Sequence, residues 1–572
     1  MTTGRRVLFG LGCALICILQ ACSSSNDDNS GDNTGSSAAV PESIGIAGST
    51  VKFRPDTAVP AAQTAEIEAA RNEFEPFQVA MRGGSGSATL ESAVLSNLTN
   101  NTGTVTMSTE KTVIYREALY YAETASNLEG DAGYWPDALV PDIDPYYHEK
   151  RNAFPMEIPA DETRAIWVDL YVPQDTQAGT YQGSLTMTFA GGGTVDIPVT
   201  LTVRDFTLPS TSSQRSTFGI RWDVCGVHLG GYSECGDSGT EDYLVRYATA
   251  GLDHRLSLGA IYVFPSGDSW DHFDEVYGPL IEGTANTLLP GAQWTTVPFN
   301  STVRTAESMG KAQDHFDSKG WSDTTKLFFY TKDEPSQSDP DAWDWIETYG
   351  AMAQAGNMAS LVTTTHDTAV NMGVIDFIDI LVPLMNYTDG DARLTYDSWL
   401  QQPGKDLWWY ISCMSHGCGG SHACETSTNQ WTNNWPSYVI DASALQARAM
   451  EWYAFTYNIH GKLHYETTHL LDTAWDTQCE FGGHGDGTLF YPGTPDRIGG
   501  TNHIPVTSIR LKLIREGLED YEYLHMLQEM GDRAYAVSES ASLFQWHAVN
   551  DTTVENLFAT RRRLAERIES LN

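Results

Sequence analysis

A chain of 572 residues that is 41% hydrophobic, with 16 tryptophans and 26 tyrosines, is too long for a single core and too apolar to be disordered, so a globular protein of two or more domains is expected. Its formal charge of −40 would repel polyanions, which excludes nucleic acid and anionic headgroups as direct partners of any surface lacking a local basic patch.

Arg5 and Arg6 precede an apolar run, 7–19, that is too short to span a bilayer and runs into Leu19-Gln-Ala-Cys22. This is the pattern of a bacterial lipoprotein signal over 1–21, with a plain secretory signal as the alternative. Cleavage before Cys22 would leave that cysteine lipidated at the mature N-terminus, in the cell envelope, anchored to a membrane without spanning it. Ser23 rather than Asp at the next position points to the outer membrane if the host is Gram-negative. Residues 22–40, rich in Ser, Asn, Asp, Gly and Thr, bury nothing and act as a flexible tether.

Over 41–206 the apolar positions alternate. Ile166, Val168, Leu170 and Val172 are aliphatic, and Leu185, Met187 and Phe189, then Val195 through Val203 at every second position, are apolar. Gly191-Gly-Gly193 joins the last two runs as a hairpin. Antiparallel strands with one buried face predict a β-sandwich, a module that can bind glycans itself but whose commoner role beside a catalytic barrel is packing and substrate framing.

From 207 to 572 short apolar runs alternate with helical stretches. The pattern predicts strands at 217–220, 257–263, 327–330, 361–364, 378–382, 407–411 and 461–465, and helices at 240–250, 342–355 and 443–457. Seven strands with intervening helices predict a (β/α)8 TIM-like barrel with one weakly marked strand. Helices from 507 onward and over 554–571 close the chain, the first carrying Leu511, Ile514, Leu518, Tyr521 and Leu524 at helical spacing. The fold class expected is therefore multidomain, an antiparallel β-sandwich followed by a barrel with C-terminal helices.

The chemistry concentrates at 326–335, where an apolar run ends in Asp333 and Glu334 followed by Pro335. The loop leaving the C-terminal end of a barrel strand is where such folds collect catalytic groups, and Pro335 keeps Glu334 out of helical geometry. In an acidic protein the pair would otherwise merely solvate a loop. Trp409, Tyr410 and Tyr465 end strands, where they suit core packing or contact with the apolar face of a sugar, and His254 and Arg255 precede one, where an ion pair or a hydroxyl contact fits. Arg510, Arg515, Glu519, Asp520 and Glu522 read as ion-paired packing of a helix. Six cysteines remain beyond 22. Outside the cytoplasm they suggest disulfides, first Cys225 with Cys235 and a pair within 413–424; a zinc cluster with His416 and His422 matches no familiar spacing, so no metal or cofactor is called for.

Tyr330-Thr-Lys-Asp-Glu-Pro335, Gly404-Lys-Asp-Leu-Trp-Trp-Tyr410, Gly485-Asp-Gly-Thr-Leu-Phe-Tyr-Pro492 and the run from Ser508 to Tyr523 together resemble glycoside hydrolase family 123 and a related group catalogued as domain of unknown function 4091. Trp167-Val-Asp-Leu-Tyr-Val-Pro173 and Ala178-Gly-Thr-Tyr-Gln-Gly183 resemble the family's N-terminal sandwich, so the likeness covers nearly all of the mature chain. The resemblance implies a retaining β-N-acetylgalactosaminidase that uses the substrate's own acetamido group, acting on a glycan with a terminal N-acetylhexosamine.

On that reading Glu334 is the general acid, its pKa raised by burial or by its charged neighbour, and Asp333 stays ionised to orient the acetamido group and stabilise the oxazolinium-like intermediate. Tyr330, Trp409, Tyr410, Tyr465, His254 and Arg255 are the candidate substrate contacts. Leu463-His-Tyr-Glu466 departs from the family, which more often carries Trp after Leu-Tyr. Two other readings stand beside this one: a retaining glycosidase in which Glu466 is a protein nucleophile about 5–5.5 Å from Glu334, and a glycan-binding lipoprotein without activity.

Overall fold

The computed structural model describes residues 40–231, 235–259, 261–265, 267–388, 390–412, 434–546 and 548–572. The leader, Cys22, all but the last residue of the tether, and the 413–424 segment with its cysteines, His416 and His422 lie outside them.

Period-two sequence produces two facing sheets in the N-terminal half. One runs, in order, Ser43–Gly48, Glu73–Arg82, Thr163–Val172, Val113–Ala122 and Gly133–Pro141, antiparallel throughout. The other runs Ala65–Arg71, Thr194–Thr207, Gly179–Phe189, Ala88–Leu95 and Met156–Ile158, and its first pair is parallel. Val79, Ile166, Leu170, Leu185, Met187 and Leu201 interdigitate between them.

The alternation has a second consequence that sequence alone did not reveal. Thr163–Val172 was expected to bury one face, yet both are covered. Ile166, Val168 and Leu170 enter the sandwich core, while Trp167 and Tyr171 enter the core that continues into the C-terminal half. Asp169, between those aromatics, receives Lys512 at 2.9 Å and Arg515 at 2.6 Å from the helix Ile509–Glu529. Three more of its side chains are ion-paired, Arg510 with Asp137 at 2.7 Å, Glu519 with Arg255 at 3.2 Å and Asp520 with Arg448 at 2.7 Å, whereas Glu522, expected to be ion-paired, accepts the Ser213 N–H and hydroxyl, both at 2.7 Å. Buried charges demand such partners, so this helix serves as the mortise between the two halves.

The C-terminal half is a parallel sheet of seven strands in the order Arg215–Phe218, Gly461–His464, Asp406–Tyr410, Ile380–Leu381, Ala359–Val362, Lys326–Lys332 and Thr296–Pro298. It almost closes on itself: Leu258 bridges Phe218, and Ser257 Oγ lies 3.0 Å from Thr295 Oγ1. The structure is thus a nearly closed parallel barrel rather than the complete (β/α)8 barrel expected. Of the predicted strand 257–263, the described residues keep only that isolated bridge. Thr296–Pro298 is a strand the pattern left unmarked, because three residues ending in proline show no periodicity and the proline lends no donor.

Helices Asp237–Leu252, Asp271–Glu282, Ala306–Ser318, Pro340–Ala355 and Ala444–Thr456 cover the outside, and Arg533–Leu543 and Val554–Leu571 end the chain. After Ile380–Leu381 the crossover is made of short 3₁₀ turns and the four-residue helix Asp397–Leu400 instead. Inside the barrel Phe328, Leu361, Ile380, Trp408 and Leu463 fill the floor. Gly461 permits this, since a Cβ there would sit 2.7 Å from the ring of Trp408.

Candidate active site

Lys326–Lys332 turns Phe328 into the barrel and Leu327 and Phe329 toward the helices. Its register against Ala359–Val362 shifts between Tyr330 and Lys332, and two residues later Glu334 takes a left-handed backbone, φ +35°. Neighbours on a regular strand face opposite ways. The bulge and the turn cancel that rule here, so Asp333 and Glu334 open into one cavity. Helix Pro340–Ala355 then starts with its proline in the first turn, although Asp339 at the N-cap position makes no side-chain capping bond.

Each carboxylate has its own donor. The Tyr410 hydroxyl donates to Glu334 Oε1, and the Tyr330 hydroxyl donates to Asp333 Oδ1 at 2.6 Å. Thr363 ties the pair together: its Oγ1 donates to Asp333 Oδ1 at 3.0 Å and accepts the Glu334 backbone N–H at 2.6 Å. Burial, followed by the Asp333 charge at Tyr330 and the Glu334 hydrogen bond at Tyr410, pushes both phenols upward, so both remain protonated donors. The turn at Glu334 is therefore held by Thr363, and two donors converge on Oδ1 of Asp333, whereas Oδ2 accepts no hydrogen bond among the described residues.

The cavity holds about 640 Å³ and opens at the C-terminal ends of the barrel strands. Glu466 and Asp486 also line it. Burial raises Glu466 to about 7 against the opposing hydrogen bonds of Thr467 and Thr468, whose backbone N–H groups donate to Oε1 at 2.8 and 3.1 Å. His464 lies beneath, its ring 5.3 Å edge-on to that of Tyr438. Tyr465 is 40% and Phe481 38% exposed at the mouth, whereas Phe328, Tyr410 and Leu463 deeper down are at most 8% exposed.

Of the residues nominated from sequence, Asp333, Glu334, Tyr330, Tyr410 and Tyr465 come together on this cavity. Trp409 does not line it. Strand alternation sends it outward to the helices, 6.2 Å from the ring of Trp546, while its neighbour Trp408 takes the interior. His254 and Arg255 also lie elsewhere, buried where the chain enters the 257–259 segment, at the opposite end of the barrel from the dyad. His254 Nδ1 meets Ala250 O at 2.7 Å, and Arg255 joins Glu519 and the Asn72 carbonyl. The ion-pair alternative describes Arg255. Thr363, Asp486 and Phe481 were not nominated. Asp486 had a signal in Gly485-Asp-Gly487, since both glycines take positive φ and a Cβ on Gly487 would lie 2.6 Å from Tyr465 Cε1.

Cys225 and Cys235 form the expected disulfide, and Cys479 is disulfide-bonded as well.

A carboxylate pair opening at the C-terminal face of a parallel barrel suits acid–base hydrolysis, as in glycoside hydrolases. Residues 55–189 match the glycoside hydrolase 123 N-terminal domain and residues 305–527 the glycoside hydrolase 123 catalytic domain. The chain belongs to glycoside hydrolase family 123. Among solved structures, a family 123 glycoside hydrolase from Clostridium perfringens, studied for glycolipid glycan hydrolysis, shares the fold with a TM-score of 0.63 at 14% identity, over 92% of this chain and 97% of that one. A Bacteroides ovatus GH5 xyloglucanase reaches a TM-score of only 0.27 at 8% identity, over 83% of this chain and 100% of that one. Among curated proteins, none matches the sequence significantly.

Proposed function

We propose that this glycoside hydrolase is an exo-acting, retaining β-N-acetylgalactosaminidase in which the substrate's acetamido oxygen is the nucleophile, on a barrel read as a (β/α)8 fold with one strand reduced to a bridge. The observation that carries the reading is the division of labour within the dyad. Tyr330 and Thr363 both donate to Asp333 Oδ1, which leaves Oδ2 to accept the acetamido N–H as positive charge develops on the oxazolinium-like intermediate. Glu334, bonded through one oxygen to Tyr410, presents the other to the glycosidic oxygen, protonates the leaving group and then deprotonates water. Glu466 is a weaker candidate for a protein nucleophile, because burial holds it near 7 and thus partly protonated at neutral pH.

A thiazoline analogue of N-acetylgalactosamine should inhibit competitively, and a galactoside lacking the 2-acetamido group should not turn over. A covalent adduct of a fluoro-sugar on Glu466 would instead establish the protein-nucleophile mechanism. We place the enzyme on the cell envelope through a lipidated Cys22, on the strength of the leader and the tether. Cys22→Ser should move it out of the detergent-extracted membrane fraction with its kcat unchanged, and persistence in that fraction would refute the anchor.

A further inference from the structure

Cys479–Glu480 and Gly483–His484 form a two-stranded hairpin whose connection is Phe481-Gly482. Both connecting residues lie in the left-handed region, φ +49° and +88°, as a tight hairpin turn with the right twist requires. Asn-Gly or Gly-Gly satisfies such a turn readily; a bulky aromatic in its first position is held against its own preference. More than a third of Phe481 is exposed, and it lines the same cavity as Asp333 and Glu334. Strain kept at a cavity wall is the kind of outlier that marks a functional residue.

The surroundings fix the ring in place. Tyr465, 40% exposed, meets it edge-on at 5.8 Å and 72°, and the Tyr465 hydroxyl is bonded to His469 Nδ1 at 2.7 Å. His469 reaches back to Glu480 in the hairpin at 3.4 Å. The far strand of the hairpin is tied to the sandwich: His484 Nδ1 lies 2.9 Å from the Tyr120 hydroxyl, and the His484 N–H donates to Ser126 Oγ at 2.9 Å.

From this geometry we infer that Phe481 and Tyr465 form a stacking platform for the sugar on the leaving-group side of the cleaved bond, and that this sugar is uncharged. The inference rests on the glycosidase reading above. A terminal residue occupies the deep end, near Phe328 and Leu463, so its leaving group emerges past the exposed aromatics at the mouth. The charged side chains among the described lining residues are Asp333, Glu334, Glu466 and Asp486, and Arg221, the cation behind Tyr465 and Glu466, is already bonded to both carboxylate oxygens of Asp223 at 2.7 and 2.6 Å. A sulfate or carboxylate on that sugar would face like charge.

The test uses the full chain, an oligosaccharide ending in β-linked N-acetylgalactosamine on a neutral second sugar, and the monosaccharide thiazoline, which reports the deep end alone. Phe481→Ala should lower kcat/KM on the oligosaccharide about tenfold, mainly through KM, and leave the thiazoline Ki within about twofold. Phe481→Trp should retain activity, and Phe481→Gly should lose as much as alanine while melting at a higher temperature, since glycine accepts the turn. Unchanged oligosaccharide kinetics in Phe481→Ala, or an equal loss of thiazoline binding, would overturn the platform. Sulfating the second sugar should cut wild-type kcat/KM about tenfold or more, and undiminished cleavage would overturn the neutral assignment. Should the wild type cleave a different terminal sugar, the glycosidase specificity fails by itself, and the same comparison on that sugar's disaccharide against its monosaccharide product still decides the platform.

Discussion

At the scale of single residues, the site is a set of hydroxyl groups aimed at two carboxylates. Because Glu334 acts only where the leaving group needs a proton, Glu334→Gln should slow cleavage of unactivated glycosides by about 10²–10⁴-fold and spare aryl glycosides with acidic phenols; equal losses on both would remove it from the acid role. The dyad was legible because an apolar run breaking into two acids and a proline can hardly continue as a strand or a helix. The choice between Trp408 and Trp409 was not. Alternation says that they part, but which one turns inward depends on the room that Gly461 leaves on the neighbouring strand. Thr363 was invisible for another reason: a hydroxyl at a strand end carries no periodic signal, and its importance comes only from meeting Asp333 across the sheet.

At the scale of elements, the long strands and helices followed the sequence closely, Val554–Leu571 to the residue, whereas short ones such as Thr296–Pro298 exist only because neighbours pair with them. One strand carries an unusual group. Glu117, in Val113–Ala122, is buried with neither carboxylate oxygen hydrogen-bonded among the described residues, and burial pushes it up to about 8. In the unfolded chain it ionises near 4.5, so between that pH and about 8 folding requires proton uptake and stability falls as pH rises. Glu117→Gln should therefore match wild type below pH 4.5 and exceed it increasingly toward pH 8, by an amount on the order of a few kcal/mol, read from denaturant midpoints at both pH values. A constant difference across that range would show that the carboxyl titrates normally.

At the scale of the whole molecule, the sandwich and barrel share Ile509–Glu529 and its buried ion pairs, so they should unfold as one cooperative unit. Asp169→Ala removes the ion-pair partner of Lys512 and leaves Arg515 only Glu516 and Glu519 on its own helix, and should cost about 3–5 kcal/mol, with a single calorimetric transition retained. Two separated transitions in the wild type would contradict the shared core. The doubly covered strand Thr163–Val172 also bears on how such a protein can change over generations. A carbohydrate-binding module on a linker can be gained, lost or exchanged between enzymes, because few contacts cross its boundary. Here a recombination point between the halves would expose Trp167 and Tyr171 on one product and the cations of Ile509–Glu529 on the other. The sandwich should consequently be inherited together with the barrel it frames, and an engineer wishing to graft a new sandwich would have to transplant the helix Ile509–Glu529 along with it.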